Sequence, residues 1–267
     1  MRKWFVNNLI RFWYILSRRR KNRQTRKVGK IALFYRICDF GYNKVKPEFI
    51  TKEKCLMNAV KAFPHEQVEW FVLADNVCEE TYQMILKYVP ADKVERVSVG
   101  HGAGTFRMVY EKALELPDDT LVYFLEDDYL HLPYSLDNLI SVARANPADY
   151  FTLYDHPDKY VNGYNPGVCD GGEVSKVFFI GNRHWKKTNS TTMTFASFVD
   201  TLKRDKATFW RWTDTRHPYD FQIFVDLALF SKAYLVSSIP SLSTHGETLF
   251  LAPAIEWHSI NLDYSGN

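Results

Sequence analysis

The sequence predicts an α/β fold, a mostly parallel sheet flanked by helices and preceded by an amphipathic basic helix. Two observations predict it. From residue 30 to 155, short runs of β-branched and aromatic residues alternate with helical patterns of about 10–15 residues, as in successive βαβ units. The most apolar of these runs, TLVYFLE at 120–126, has no polar face, which suits a strand covered on both sides. The composition agrees. With 46% apolar and 24% charged residues, the chain is ordinary globular protein, neither disordered nor collagenous. Its 267 residues suffice for one large domain or two small ones with a substantial core.

Charge divides the chain. Residues 1–30 hold 11 Lys and Arg and no acid, whereas the other 23 basic residues face 31 acidic ones, a net of −8 for 31–267. A basic arm, 1–30, thus precedes an acidic body, 31–267. Between Lys3 and Arg18 lies WFVNNLIRFWYILS, which is short of the about 20 apolar residues that a spanning helix needs. Phe5, Val6, Leu9, Phe12, Trp13 and Leu16 recur at helical spacing, with Asn7, Asn8 and Arg11 on another face. Followed by SRRRKNRQTRK, this pattern predicts an interfacial anchor whose arginines meet an anionic membrane surface. The alternatives are a helix packed on the body with a solvated tail, and a mitochondrial presequence. Arg11 and the lack of a small-residue cleavage site argue against a secretory signal. The acidic body argues against a nucleic-acid partner. Cys38, Cys55, Cys78 and Cys169 are widely spaced, without C-x-x-C, so neither a disulfide framework nor a structural zinc site is expected. Such usage suits a reducing compartment, and the expected location is cytoplasmic, peripheral at a membrane face.

In the body, KIALFYRI (30–37) reads as the first strand. Thr51 can cap a helix to about Phe63, followed by a strand VEWFVLAD (68–75), a helix at 79–89 and a strand KVERVSV (93–99). After GHGAG comes a helix to about Leu116, then the 120–126 strand, a helix SLDNLISVARA opened by Pro133, and a strand at 149–155. Gly, Pro and Asn between 156 and 190 indicate a long surface loop. FASFVDTLKRD (195–205) reads as a helix, another helix starts at Pro218, and AYLVSSI (233–239) is a strand. There is no internal repeat and no interdomain linker.

Glu126, Asp127 and Asp128 follow directly on the apolar 120–126 strand, where ligands of α/β sheets bind. Three adjacent acids repel one another unless a cation sits among them, and strand alternation turns Glu126 and Asp128 to the same side. Paired oxygens suit Mg²⁺ or Mn²⁺, which also takes oxygens from a diphosphate. The other reading is a solvated acidic turn.

The stretch GHGAGTFRMVYEKALELPDDTLVYFLEDDYLH resembles the core of GT-A glycosyltransferases, with a Gly-rich turn, an Arg early in a helix, and an apolar strand ending in a DXD-type motif. The likeness is greatest to inverting bacterial and algal-virus sugar transferases of the family 2 type. It is specific over about 100–131 and looser over the rest of 30–265. Glu126 stands where the family has its first Asp.

The resemblance implies that Asp128 ligates a metal bridging a nucleotide-sugar diphosphate, with Glu126 or Asp127 on ribose or a metal-bound water. It also implies that Asp75 contacts the nucleotide base and that Arg107 serves the donor site. Their alternatives are an Asx turn for Asp75 and a surface ion pair for Arg107. Inverting transfer needs a general base. Asp220 follows Pro218 into the opening turn of a helix, the family's position for that base, while Asp214 lies in the loop before it. Against catalysis, Asp220 can simply stabilise the helix dipole. His245, in STHGE after the last strand, corresponds to a C-terminal His that closes the metal site in many GT-A enzymes; a structural hydrogen bond is its alternative. Trp185, Trp210, Trp212 and Trp257 are candidates for stacking on a sugar or for the core.

These features point to a metal-dependent, inverting glycosyltransferase that moves a sugar from a nucleotide-diphosphate donor to a glycan or lipid-linked acceptor. The rivals are a nucleotidyltransferase, for which RICDFGYNKVKPEF lacks the glycine density after the first strand, and an inactive, membrane-tethered glycan-binding protein.

Overall fold

The computed structural model describes residues 23–41 and 44–260. The helix expected within 4–17 lies outside them. Residues 23–30 run against the body: Arg23 pairs with Asp149 at 2.6 Å, and the Arg26 guanidinium lies 3.7 Å from the centre of the Phe198 ring.

In chain order the elements are β1 (Ile31–Cys38), α1 (Lys52–Ala62), β2 (Glu69–Asp75), α2 (Glu79–Leu86), β3 (Val94–Val97), α3 (Gly102–Leu114), β4 (Leu121–Glu126), β5 (Tyr129–His131), α4 (Ser135–Ala145) and β6 (Tyr150–Thr152). After these come β7 (Val168–Cys169), β8 (Gly172–Glu173), β9 (Val177–Ile180), β10 (Arg183–Thr188), β11 (Phe195–Phe198), α5 (Val199–Arg211), α6 (Asp220–Asp226), β12 (Leu235–Ile239) and β13 (Ser243–His245). The helices begin where local chemistry starts them. The Thr51 hydroxyl accepts from the Lys54 amide and caps α1, and His101 Nδ1 accepts from the Gly104 amide and caps α3.

Nine strands form the main sheet in the order β3-β2-β1-β4-β11-β6-β12-β10-β9, and all but β11 and β10 run the same way. Both faces are covered. Leu33, Tyr35 and Ile37 of β1 and Tyr123 and Leu125 of β4 pack with Leu56 and Ala59 of α1 and Leu139 of α4. Ala32, Phe34, Val122 and Phe124 point the other way, into Phe106 and Tyr110 of α3 and Phe209 of α5. This double burial is why β1 and β4 are apolar up to Arg36 and Glu126 near their carboxyl ends. Each such side chain contributes roughly 1.5–3 kcal/mol by leaving water. The order β3-β2-β1-β4 reverses direction between β1 and β4, which opens a crevice beyond their carboxyl ends.

Three expectations are corrected. Residues 195–198 form β11, and the helix begins only at Val199. Phe195, Ala196, Ser197 and Phe198 are all buried between β4 and β6, so they show no alternation and run on into the helix's apolar pattern. The stretch 156–190 holds β9 and β10, not only loop. The lysines of β10 hid it. Lys186 is buried against Asp155 at 2.8 Å, and Lys187 Nζ lies 3.6 Å from the centre of the Tyr234 ring. Finally, His245 does not follow the last strand but lies in β13, which pairs antiparallel with β5 in a two-stranded ribbon too short to read from the sequence.

Candidate active site

A cleft of about 610 Å³ opens at the carboxyl ends of β1, β2 and β4. Its floor is the acid triplet, and each acid has a different environment. Glu126 faces Arg36 across the β1–β4 register, and the two pair at 2.8 Å. Arg36 also donates to the Gly102 carbonyl at 3.1 Å, which ties β1 to the start of α3. Asp127 accepts from the Cys38 amide at 3.1 Å. Burial, and then the charge of Asp128 beside it, push the Asp127 carboxyl up to about 6. Asp128 is also buried, but His245, Lys44 and Lys46 overcome burial and hold its carboxyl well below the usual range.

The β5–β13 ribbon brings His245 to this floor by pairing it with Tyr129, the residue after Asp128. The Gly246 amide donates to the Asp128 carbonyl at 2.6 Å. His245 Nε2 then lies 3.3 Å from Asp128 Oδ2. Glu126, Asp128 and His245 can each offer one ligand atom, all within 4.8 Å of one another. Two carboxylates and an imidazole suit Mn²⁺ or Mg²⁺, and Asp128 Oδ1 is buried without a protein hydrogen bond. Lys44 and Lys46 direct ammonium groups at the same carboxylate, at 3.4 and 3.2 Å. The residues present fit a cation.

Asp75 lines the cleft from the end of β2. Its carboxylate accepts from the Val99 amide at 2.6 Å and the Gly100 amide at 2.9 Å, so it also shapes the turn into α3. Asp220 opens α6 as a half-buried residue whose carboxyl is packed round by protein. Burial pushes that carboxyl up to about 7 against the opposing pull of Lys159, and the charges of Asp158 and Glu126 act in the same direction as burial. Asp220 thus feels the charge of Glu126, but of its segment it is Arg216 and His217 that line the cleft. Asp214 is exposed in the loop between α5 and α6. Arg107 does not line the cleft. Its guanidinium donates to Thr213 at 2.9 Å and to the Trp210 carbonyl at 2.7 Å, joining α3 to the end of α5. Trp185 and Trp257 are core residues.

No protein-family model and no curated protein matches the sequence. Among solved structures, GalNAc-T7, determined with UDP, GalNAc and Mn²⁺, superposes with a TM-score of 0.51 at 10% identity over 84% of this chain. The chain has the GT-A fold. It spans 44% of the length of GalNAc-T7.

In this GT-A fold Arg36 and Arg216 line the cleft and Arg107 does not, and Lys44 and Lys46 join them; neither Arg36 nor the two lysines stand out in the sequence. Arg36 is found only through the β1–β4 register, and the lysines only through where their segment lands. Gly246 is a further requirement. A Cβ there would lie 2.7 Å from the Asp128 carbonyl oxygen and 2.5 Å from Ile50 Cγ2. Gly246→Ala is therefore expected to part the ribbon from Asp128 and to weaken Mn²⁺-dependent nucleotide binding at least about tenfold, as loss of a support to a metal ligand does. Calorimetry on a variant that still unfolds cooperatively checks this, and wild-type affinity would show that the ribbon's position is unimportant.

Proposed function

We propose that the protein is a metal-dependent, inverting glycosyltransferase that moves a sugar from a nucleoside-diphosphate sugar to a hydroxyl of a glycan or lipid-linked acceptor. The observation that carries this reading is the Glu126–Asp128–His245 cluster at the switch point of a GT-A sheet. The same fold holds UDP, GalNAc and Mn²⁺ in GalNAc-T7, which supports a nucleotide-sugar donor here. Glu126, Asp128 and His245 would hold Mn²⁺ or Mg²⁺, which when bound neutralises charge on the departing diphosphate.

The remaining chemistry belongs to the chain's own groups. Asp220 takes the proton of the acceptor hydroxyl as its oxygen attacks the anomeric carbon and the bond to the diphosphate breaks. A carboxyl near 7 suits this role, because about half of it is ionised at neutral pH and the carboxylate is basic enough to accept the proton. Asp214, exposed in the adjoining loop, is the second candidate base. Asp75, which lines the cleft, would meet the nucleoside base, and Asp127 holds the end of β1 through the Cys38 amide. A panel of nucleotide sugars assayed with and without Mn²⁺ tests the reading. Mn²⁺-dependent release of a nucleoside diphosphate from at least one donor is expected, and release from none would overturn it. Turnover of a nucleoside triphosphate with a sugar phosphate would favour a nucleotidyltransferase instead.

The basic arm gives the enzyme a place to work, at the cytoplasmic face of an anionic membrane. Among the described residues no helix is long and apolar enough to cross a membrane. Since Arg23 and Arg26 bond to the body, the informative deletion is residues 1–22. The shortened protein is expected to keep its activity on a soluble acceptor and to lose most binding to vesicles containing anionic lipid. Full-length binding should fall with salt, because charges are screened beyond about 8 Å at physiological ionic strength. Co-sedimentation across a salt series reads both effects, and equal sedimentation of the two forms would remove the arm as the anchor.

A further inference from the structure

The negative charge of the cleft is met by two of the protein's own side chains. Lys44 and Lys46 lie in the segment between β1 and α1. Lys46 Nζ is 3.2 Å and Lys44 Nζ 3.4 Å from the same oxygen, Asp128 Oδ2. Lys44 Nζ is also 3.0 Å from His245 Nε2. The two ammonium groups thus crowd two of the three groups able to hold a divalent cation. Arg36 already balances Glu126, which leaves Lys44 and Lys46 opposite Asp127 and Asp128.

The floor is therefore near charge balance with no divalent cation in it. A cation entering alone would add two positive charges beside two ammonium groups within contact distance of its own ligand, a steep repulsion in a partly desolvated cleft. Arriving with a diphosphate, it brings compensating negative charge, and the lysines acquire a second place to go. They are built to move. Both side chains are about a quarter to a third exposed, on flexible stems. Their backbone, by contrast, is fixed, since Thr248 donates to the Val45 carbonyl from its amide and from its hydroxyl, each at 2.9 Å.

We propose that Lys44 and Lys46 are a built-in counter-charge that keeps a divalent cation from settling in the cleft until a nucleoside diphosphate arrives, whereupon both ammonium groups turn from Asp128 to the phosphate oxygens. The proposal rests on the cleft being a nucleoside-diphosphate site. It makes cation and nucleotide binding mutually dependent, each raising the affinity of the other by the same factor. It also selects ligands that carry a diphosphate over those that offer a base and sugar alone.

The test is calorimetry of MnCl₂ alone, of UDP and GDP alone, and of MnCl₂ with each nucleotide present. It is run on the full chain and on Lys44→Met, Lys46→Met and the double variant, with the fold checked by circular dichroism. In the wild type, Mn²⁺ alone should bind weakly and at least about tenfold more tightly with nucleotide present. In the double variant, Mn²⁺ alone should bind at least about tenfold more tightly than to the wild type, and the gain from nucleotide should shrink by a similar factor. Each single variant should show part of both effects, so a double variant that failed to fold would leave the test intact. Unchanged or weaker Mn²⁺ binding in the folded variants would overturn the proposal, even if the enzyme turned over a nucleotide sugar. If the variants gained Mn²⁺ affinity while neither nucleotide bound any form, the counter-charge would stand but its release by a nucleoside diphosphate would fall, and with it the glycosyltransferase reading.

Discussion

Asp128→Ala is expected to abolish Mn²⁺-dependent binding of nucleoside diphosphates and to leave the fold in place. The side chain is paired with Lys44, Lys46 and His245 and contributes charge, not apolar volume, to this corner. What holds this corner together is the backbone, through the Gly246 amide on the Asp128 carbonyl and the pairing of His245 with Tyr129, and the substitution keeps both. The loss should exceed the roughly 10–100-fold that removal of an outer-shell partner of a metal ligand costs. Both lysines can turn to solvent once their carboxylate is gone, so no buried charge is stranded. Calorimetry of UDP and GDP with Mn²⁺, beside a thermal melt, decides the matter. Wild-type affinity in a folded variant would take Asp128 out of the site.

Asp220→Asn should lower the transfer rate by roughly 10²–10⁴-fold while donor affinity persists, the scale for loss of a general base. Two pH dependences accompany it. The wild-type rate should rise as pH passes about 7 and level off above, because only the ionised carboxylate accepts a proton. Stability should move the other way. A carboxyl raised to about 7 in the folded protein holds its proton more tightly than it does in the unfolded chain. Ionising it therefore costs stability as pH climbs from about 4 to about 7. Above pH 7 the Asn variant should then be the more stable protein, with the advantage gone near pH 4. A charge present only to stabilise the helix dipole would give the opposite result, a variant that is less stable and fully active. Normal transfer by Asp220→Asn together with loss in Asp214→Asn would move the base to the loop.

Those two residues mark what could be read from the sequence. Asp128 is visible because its cue is contiguous: an uninterrupted apolar strand running directly into acids needs no knowledge of the rest of the fold. Asp220 is visible through Pro218, which announces a helix start. Arg36 is different. It sits in a run read simply as strand, and its value comes from facing Glu126 in the β1–β4 register, which no local pattern encodes. Lys44 and Lys46 look like ordinary loop lysines until the loop is folded over the acids. Much the same holds for secondary structure. β1, β2 and β4 carry their own evidence, because they are largely buried on both faces and the helices that follow β1 and precede β4 are capped. β11 does not, since four buried residues joined to a helix have no period of their own. β10 was masked by lysines whose partners, Asp155 and Tyr234, lie on other elements.

The antiparallel ribbon of β5 and β13 carries a consequence for how the protein is made. Asp128 leaves the ribosome more than a hundred residues before His245, its neighbour in the cleft. A nascent chain can build β1 to β4 and the acid triplet while His245 has yet to be translated. The cleft acquires its carboxylate–imidazole cluster only when His245 comes back to pair with Tyr129. A growing polypeptide thus carries the acid triplet before it carries the histidine, and the cluster is complete only once the segment around His245 has been made and has folded back.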